Sequence, residues 1–349
     1  MSLSLLARRW VAKLPACFRS NATSQSPAVI FEGMFRLNHL EEGLTRTKEE
    51  RAGYFPAALD QSLANGRYTI LRKLGWGTAA SVWLAKDEKQ QSHVALKIMT
   101  AFWTEKQGAY EELILSRVKT ANTDHPGRAY LPQLLDGFDV ESHHGKHRVL
   151  VTDVSGPSLH ALRHDHLPKK SLLPSSILKQ WLRELLLALD YLHTEVGVIH
   201  SDIRLPNILL DFPKSEDSLL QAVHDEPPKF YPTDTKLQGP VPTFVSQPFP
   251  VPSDIIDGHT PVPSVKLIDL GGANWVENHT WHTCHNEDMR APEVILRHPW
   301  GPPADIRALC CVARSTASCC LGYTDLYILG YPSSGLSGRY SLWLEQMRH

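Results

Sequence analysis

The sequence predicts an α+β chain of two lobes, a small and mainly β first lobe followed by a larger helical second lobe. Three observations predict it. Short runs with apolar residues at every second position, joined by glycine-bearing or polar turns, crowd the region from 69 to 152. The character then changes at 176–193, SILKQWLRELLLALDYLH, the clearest helix in the chain. There Leu178, Trp181, Leu182, Leu185, Leu189 and Leu192 follow the three-four spacing of one buried face. Finally, the 349 residues suit one large domain or two lobes sharing a cleft.

The first lobe is built element by element. YTILRKL, ending at Leu74, reads as a strand, a turn at Gly75 and Gly77 follows, and SVWLAKD reads as the second strand. After DEKQQSH comes a third strand, VALKIM. Tight turns between them predict an antiparallel sheet. A helix fits AYEELILSRVK, and LPQLLDGFDVE and HRVLVTDV read as two further strands, the latter entering a hinge-like VSGPS. In the second lobe the helix runs into VGVIHSDIRLPNILL, and VKLIDL reads as the last strand. Between these lies 211–264, rich in proline and serine and without sustained periodicity, which predicts a mobile insertion.

Composition excludes some function classes. Hydrophobic residues make up 42% and charged residues 21% of the chain, with 36 basic and 37 acidic residues and a net charge of -1. A nucleic-acid binder would usually carry a basic excess, so no direct nucleic-acid contact is expected. No apolar run approaches the length that spans a bilayer. Four of the six cysteines form the pairs Cys310-Cys311 and Cys319-Cys320, which match no zinc spacing and read as ordinary thiols rather than metal ligands or disulfide partners. Residues 1–25 carry Arg8, Arg9, Lys13 and Arg19 and no acid, the composition of a mitochondrial transit peptide or of a disordered basic tail. Residues 26–68 read as an extension of the first lobe. Nothing in the sequence sets an oligomeric state.

Four motifs carry chemistry. In LGWGTAASVWLAKD, Gly75 and Gly77 let backbone N–H groups approach an anionic oxygen, a weak signal alone. In VALK, Lys97 on its strand is a fixed cation for phosphates and needs an acidic partner. Glu112 on the next helix is the first choice and Glu111 the alternative, since neighbours on a helix face different ways. In IHSDIRLPNILL, Asp202 can accept a hydroxyl proton, Arg204 can reach a transferring phosphate and Asn207 can hold a metal ion. In LIDLGG, Asp269 can hold Mg2+. Each has a mundane reading, such as a turn-forming Asp or Asn. The ordered combination is far more specific than its parts.

That combination resembles the eukaryotic protein kinase family, and within it the SR-protein-kinase-like serine/threonine kinases of fungal type. DLG, ANW at 273–275, RAPEVILRHPWGPPADI at 290–306 and the proline-rich insertion carry the closer likeness, which covers roughly 50–306. The resemblance implies a two-lobed kinase fold, ATP and Mg2+ as cofactors, and transfer of the ATP γ-phosphoryl group to serine or threonine of protein substrates, including Arg-Ser-rich splicing factors. It implies that Lys97 and Glu112 pair, that Asp202 is the catalytic-loop aspartate, and that Asn207 and Asp269 are the metal ligands. Leu74, Gly75, Gly77, Val82, Ala95, Lys97, Asp153 and Ser155 would form the nucleotide pocket, with Thr152 behind the adenine, the hinge at 153–155 and Glu293 locking the activation segment. It implies cytoplasm or nucleus, against the mitochondrial reading of the N-terminus.

The chain departs from the family at Ala80, Ser201, Asn286 and Met289, where a third glycine, an arginine, a threonine and a tyrosine are usual. After Ile306 the family pattern stops, and 307–349 shows no strong helical periodicity. That tail reads either as a divergent or spliced form or as an altered reading frame. A non-catalytic ATP- or protein-binding module, or a truncated fragment, is therefore the competing reading. A small-molecule phosphotransferase is disfavoured by APE and PADI.

Overall fold

In a computed structural model, residues 41–166, 173–211, 221, 223–230, 244–250, 262–277 and 289–316 are described. The expectations for 1–25, for Asn286, for Cys319-Cys320 and for the tail beyond 316 lie outside them.

The first lobe is a six-stranded antiparallel sheet in the order β1-β2-β3-β4-β6-β5. Its strands are β1 (Ser62–Leu63), β2 (Tyr68–Trp76), β3 (Ala80–Asp87), β4 (Ser92–Met99), β5 (Leu134–Ser142) and β6 (Gly145–Thr152). One face buries Tyr68, Ile70, Trp83, Leu96, Ile98, Val149 and Val151. Two helices interrupt the sheet between β4 and β5. The first, α1 (Ala101–Gln107), was not expected from the sequence; it is capped by the Thr100 hydroxyl, which accepts from Trp103 N. It is followed by α2 (Tyr110–Thr120).

In the second lobe the one-turn α3 (Leu159–Ala161) precedes α4 (Ser175–Tyr191). The predicted face of α4 is buried, and so are Leu186, Leu187 and Ala188, so its C-terminal half is apolar nearly all round. It runs on into a π-helical turn, Leu192–Val196, which is closed by Gly197 at φ 77, a left-handed position that suits glycine. Next come β7 (Val198–Ile199), β8 (Ile208–Asp211), β9 (Ser264–Leu267) and β10 (Asn274–Trp275), with β8 pairing β9 and β7 pairing β10, both antiparallel. A short α5 (Pro292–Ile295) and α6 (Pro303–Thr316) complete the described elements. No helix among the described residues is long and apolar enough to cross a membrane.

Two expectations are corrected here. The described parts of the insertion are docked rather than mobile. Phe244 joins the core of the first lobe, and Phe249 packs with Leu84 and Val154. The reason lies in β2, which buries two cations, Arg72 and Lys73. A buried charge needs partners. Arg72 donates to the Glu226 carbonyl at 2.7 Å, and Lys73 donates to the Phe244 carbonyl at 3.1 Å. Lys73 also pairs with Glu41 at 2.6 Å and with Glu42, while Ser246 donates to Glu41. Extension, strand and insertion thus meet at one buried ion cluster.

The second correction concerns 307–316, which is helical as part of α6. Ala304, Ala308 and Val312, with Leu309, Ala313 and Thr316, are buried at four-residue steps. Alanine gives so little contrast with its neighbours that the face was not legible in the sequence. Cys310 and Cys311 on this helix are free thiols.

Candidate active site

Lys97 sits at the centre. It lies on β4, opposite Val82 on one side and Leu150 on the other, and Val82 in turn lies opposite Gly75 on β2. This cross-strand row brings the glycine turn, Val82 and the lysine into register. Ala95 lies two residues earlier, opposite Thr152. Leu74 packs with Leu84 and Val154, next to Asp153 and Ser155. A Cβ added at Gly75 or Gly77 would meet nothing within 4 Å, so the face of the turn is open. Tyr54, from the extension, donates its hydroxyl to the Gly77 carbonyl at 2.9 Å, a contact that sequence patterning did not signal.

Lys97 Nζ donates to both oxygens of Glu111 at 2.8 Å and to Asp269 Oδ1 at 2.7 Å. The choice of Glu112 is therefore corrected. Glu112, the next residue round α2, points away from Lys97 and takes a two-pronged pair from Arg148, at 2.7 and 2.6 Å. Gly137 makes that pair possible, since a Cβ there would lie 2.5 Å from Glu112 Oε1 and 2.8 Å from Arg148 Nη2. Arg148, not visible as a partner from the local sequence of the helix, decides which glutamate faces the lysine.

The electrostatics of the triad follow from its packing. Burial opposes the charge on Lys97, but Asp269 and Glu111 outweigh it and raise its pKa. The neighbouring ammonium holds Asp269 below the usual carboxylate range. Burial pushes Glu111 up, opposed chiefly by Lys97. Lys97 and the two carboxylates thus sustain one another's charge, while burial and the neighbouring Asp269 carboxylate work against the charge on Glu111. Glu111→Gln is expected to lower turnover by roughly tenfold or more, the value of one or two charge-assisted hydrogen bonds. Glu112→Gln should leave turnover within about twofold, well under the roughly 1.4 kcal/mol of a tenfold effect. Steady-state kinetics of the pair check this, and equal losses would contradict the geometry.

The second half of the site hangs on the β8–β9 hairpin. Ile208 pairs with Leu267, and Ile268 N donates to the Asn207 carbonyl at 2.9 Å. Asn207 and Asp269 therefore lie at the same end of the hairpin. Asn207 Nδ2 donates to the Asp202 carbonyl and to Asp202 Oδ2, both at 2.8 Å, which leaves its side-chain oxygen as a ligand atom. Arg204 Nε lies 3.4 Å from Asp202 Oδ2. One carboxylate and one amide oxygen are hard donors that suit Mg2+, and the Lys97 cation with an open glycine turn suits a polyphosphate. The residues present fit both groups.

The loop itself is held from below by Asp305, which the sequence analysis quoted within PADI but assigned no role. Asp305 is fully buried on α6. Its Oδ2 accepts from His200 N at 2.7 Å and from His193 Nε2 at 2.9 Å, and its Oδ1 accepts from Ser201 N at 2.9 Å. Ser201 has φ 68, a left-handed conformation that costs a residue with a Cβ. Its N–H bond to Asp305 and a bond from Asn274 Nδ2 to its hydroxyl at 3.0 Å hold it there.

Comparisons place this geometry among known proteins. Residues 68–223 match the protein kinase domain family. The chain is 31% identical to "Serine/threonine-protein kinase SRPK" of Physarum polycephalum, over 77% of this chain and 64% of that protein. It is 28% identical to "Protein kinase dsk1" of Schizosaccharomyces pombe, over 76% and 64%. With "Serine/threonine-protein kinase SKY1" of Saccharomyces cerevisiae it shares 38% identity, over 46% of this chain and 22% of that one. The chain thus spans less than two thirds of the length of these relatives. A solved kinase-domain crystal structure superposes with a TM-score of 0.55 at 21% identity, covering 76% of this chain and 68% of the other, which shows the fold.

Proposed function

We propose, from the match of residues 68–223 to the protein kinase domain family, that this chain is a serine/threonine protein kinase that transfers the γ-phosphoryl group of ATP to hydroxyls of Arg-Ser-rich proteins. The observation that carries the reading is the Lys97–Glu111–Asp269 triad facing the Asp202–Asn207 pair. ATP with Mg2+ supplies the phosphoryl group and screens its charge. Lys97 would hold the phosphate oxygens, and Asp269 with Asn207 would hold the metal ion. Asp202 orients the acceptor hydroxyl and takes its proton as the new O–P bond forms and the bond from the γ-phosphorus to the bridging oxygen breaks, so that ADP leaves. Arg204 lies beside Asp202, where it can meet the phosphate. Catalysis is positioning and charge neutralisation, with no covalent enzyme intermediate. The names of the relatives from Physarum polycephalum and Saccharomyces cerevisiae support serine or threonine as the acceptor, and the sequence resemblance supports the Arg-Ser-rich class.

The test is transfer of labelled phosphate from ATP to an Arg-Ser repeat peptide with Mg2+ present and with EDTA added. Transfer that needs the metal is expected. Signal no higher than a reaction without protein would sink the enzyme reading. Thermal stabilisation by Mg-ATP without transfer would favour the nucleotide-binding module instead.

A further inference from the structure

Lys266 has no role in the site described so far, yet it is almost wholly buried on β9, three residues before Asp269. A buried ammonium is costly unless paired. Its Nζ makes a close ion pair with Asp153 Oδ2, and Asp211 Oδ2 lies farther off at 3.5 Å. Asp153 opens the hinge at 153–155, which has no regular secondary structure. Its other carboxylate oxygen accepts from Gln133 N at 2.8 Å, while its own N–H reaches the Gln133 carbonyl only at 3.3 Å. Beyond the hinge, Gly156 N donates to the Leu210 carbonyl at 2.7 Å and Leu210 N to the Pro157 carbonyl at 3.0 Å. The far end of the hinge is thus fastened to β8 by backbone bonds. The near end is fastened to β9 by one side chain, Lys266.

We propose that Lys266 is a positioning residue for the base of the nucleotide, holding Asp153 so that the hinge stands at a fixed distance from the hairpin that carries Asn207 and Asp269. The base and the phosphates of one ligand must be met together, by the hinge and by the hairpin. A tie between those two elements sets whether both contacts form at once. The proposal rests on the nucleotide-binding reading above. It predicts an effect on recognition of the base and none on the phosphate end, because Lys97, Asn207 and Asp269 keep their own partners.

Calorimetry of the full chain with MgADP and with magnesium pyrophosphate, which has no base, tests it. Lys266→Met and Asp153→Asn should each weaken MgADP binding by about tenfold, the worth of one charge-assisted bond. Pyrophosphate binding should be unchanged. Lys266→Arg should restore most of the MgADP affinity. Asp211→Asn, which leaves the tie intact, should match the parent. Where Lys266→Met is too unstable to purify, the charge-balanced Lys266→Met/Asp153→Asn pair takes its place, with the same loss for MgADP. Equal loss for MgADP and pyrophosphate would mean general loosening and would overturn the proposal, as would MgADP binding at the parent's strength. A parent that binds neither ligand would overturn the nucleotide reading itself, a result distinct from both.

Discussion

Replacing Asp202 by asparagine is expected to cut the rate of phosphate transfer by about a thousandfold, within the range usual for loss of a general base. The change is nearly isosteric. The asparagine oxygen can still accept from Asn207 Nδ2, which bonds Asp202 Oδ2 at 2.8 Å, so the loop geometry should survive. What is lost is the carboxylate, which alone can take a proton from the acceptor hydroxyl. Affinity for MgADP should not change, since Asp202 pairs with neither Lys97 nor Asp269. The measurement is turnover on an Arg-Ser peptide beside nucleotide affinity for the same preparation. A variant that turns over at the parent rate would remove Asp202 from the mechanism. One that loses nucleotide affinity in proportion would mean that the substitution disturbs the hairpin.

Much of this site was legible because its chemistry is local in sequence. The D-x-x-x-x-N spacing of Asp202 and Asn207 lies within one loop, and their mutual bond is a property of that loop. Strand alternation likewise placed Lys97 and Val82, whose cross-strand pairing follows from a tight turn. Contacts set by distant partners were not legible. Glu111 and Glu112 are equivalent by local pattern, and Arg148, 36 residues on, separates them. The docking of the insertion depends on two buried cations in β2, whose partners are far along the chain. Proline content alone pointed to mobility, because composition reports the lack of regular structure and not the lack of packing. The role of Asp305 was hidden for the same reason. An aspartate near a helix start reads as a surface residue until the loop that it caps is brought against it.

Asp305→Ala is expected to destabilise the chain by about 3–5 kcal/mol, the cost of breaking a buried charged network by removing one partner. Three donors converge on this carboxylate, and two of them are backbone N–H groups of consecutive residues, His200 and Ser201. Alanine offers no acceptor, so both donors would lose their partner in a buried place. The left-handed Ser201 would then lack the bond that holds its N–H, and relaxing it would rotate the next residue, Asp202. Stability and turnover should therefore fall together, in contrast to Asp202→Asn, where turnover falls alone. Urea unfolding read by tryptophan fluorescence gives the first quantity and peptide phosphorylation the second. Asp305→Ala with an unchanged urea midpoint would show that α6 does not brace the loop. An unchanged midpoint with lost turnover would assign Asp305 to the chemistry itself, which its full burial behind the His200–Ser201 backbone argues against.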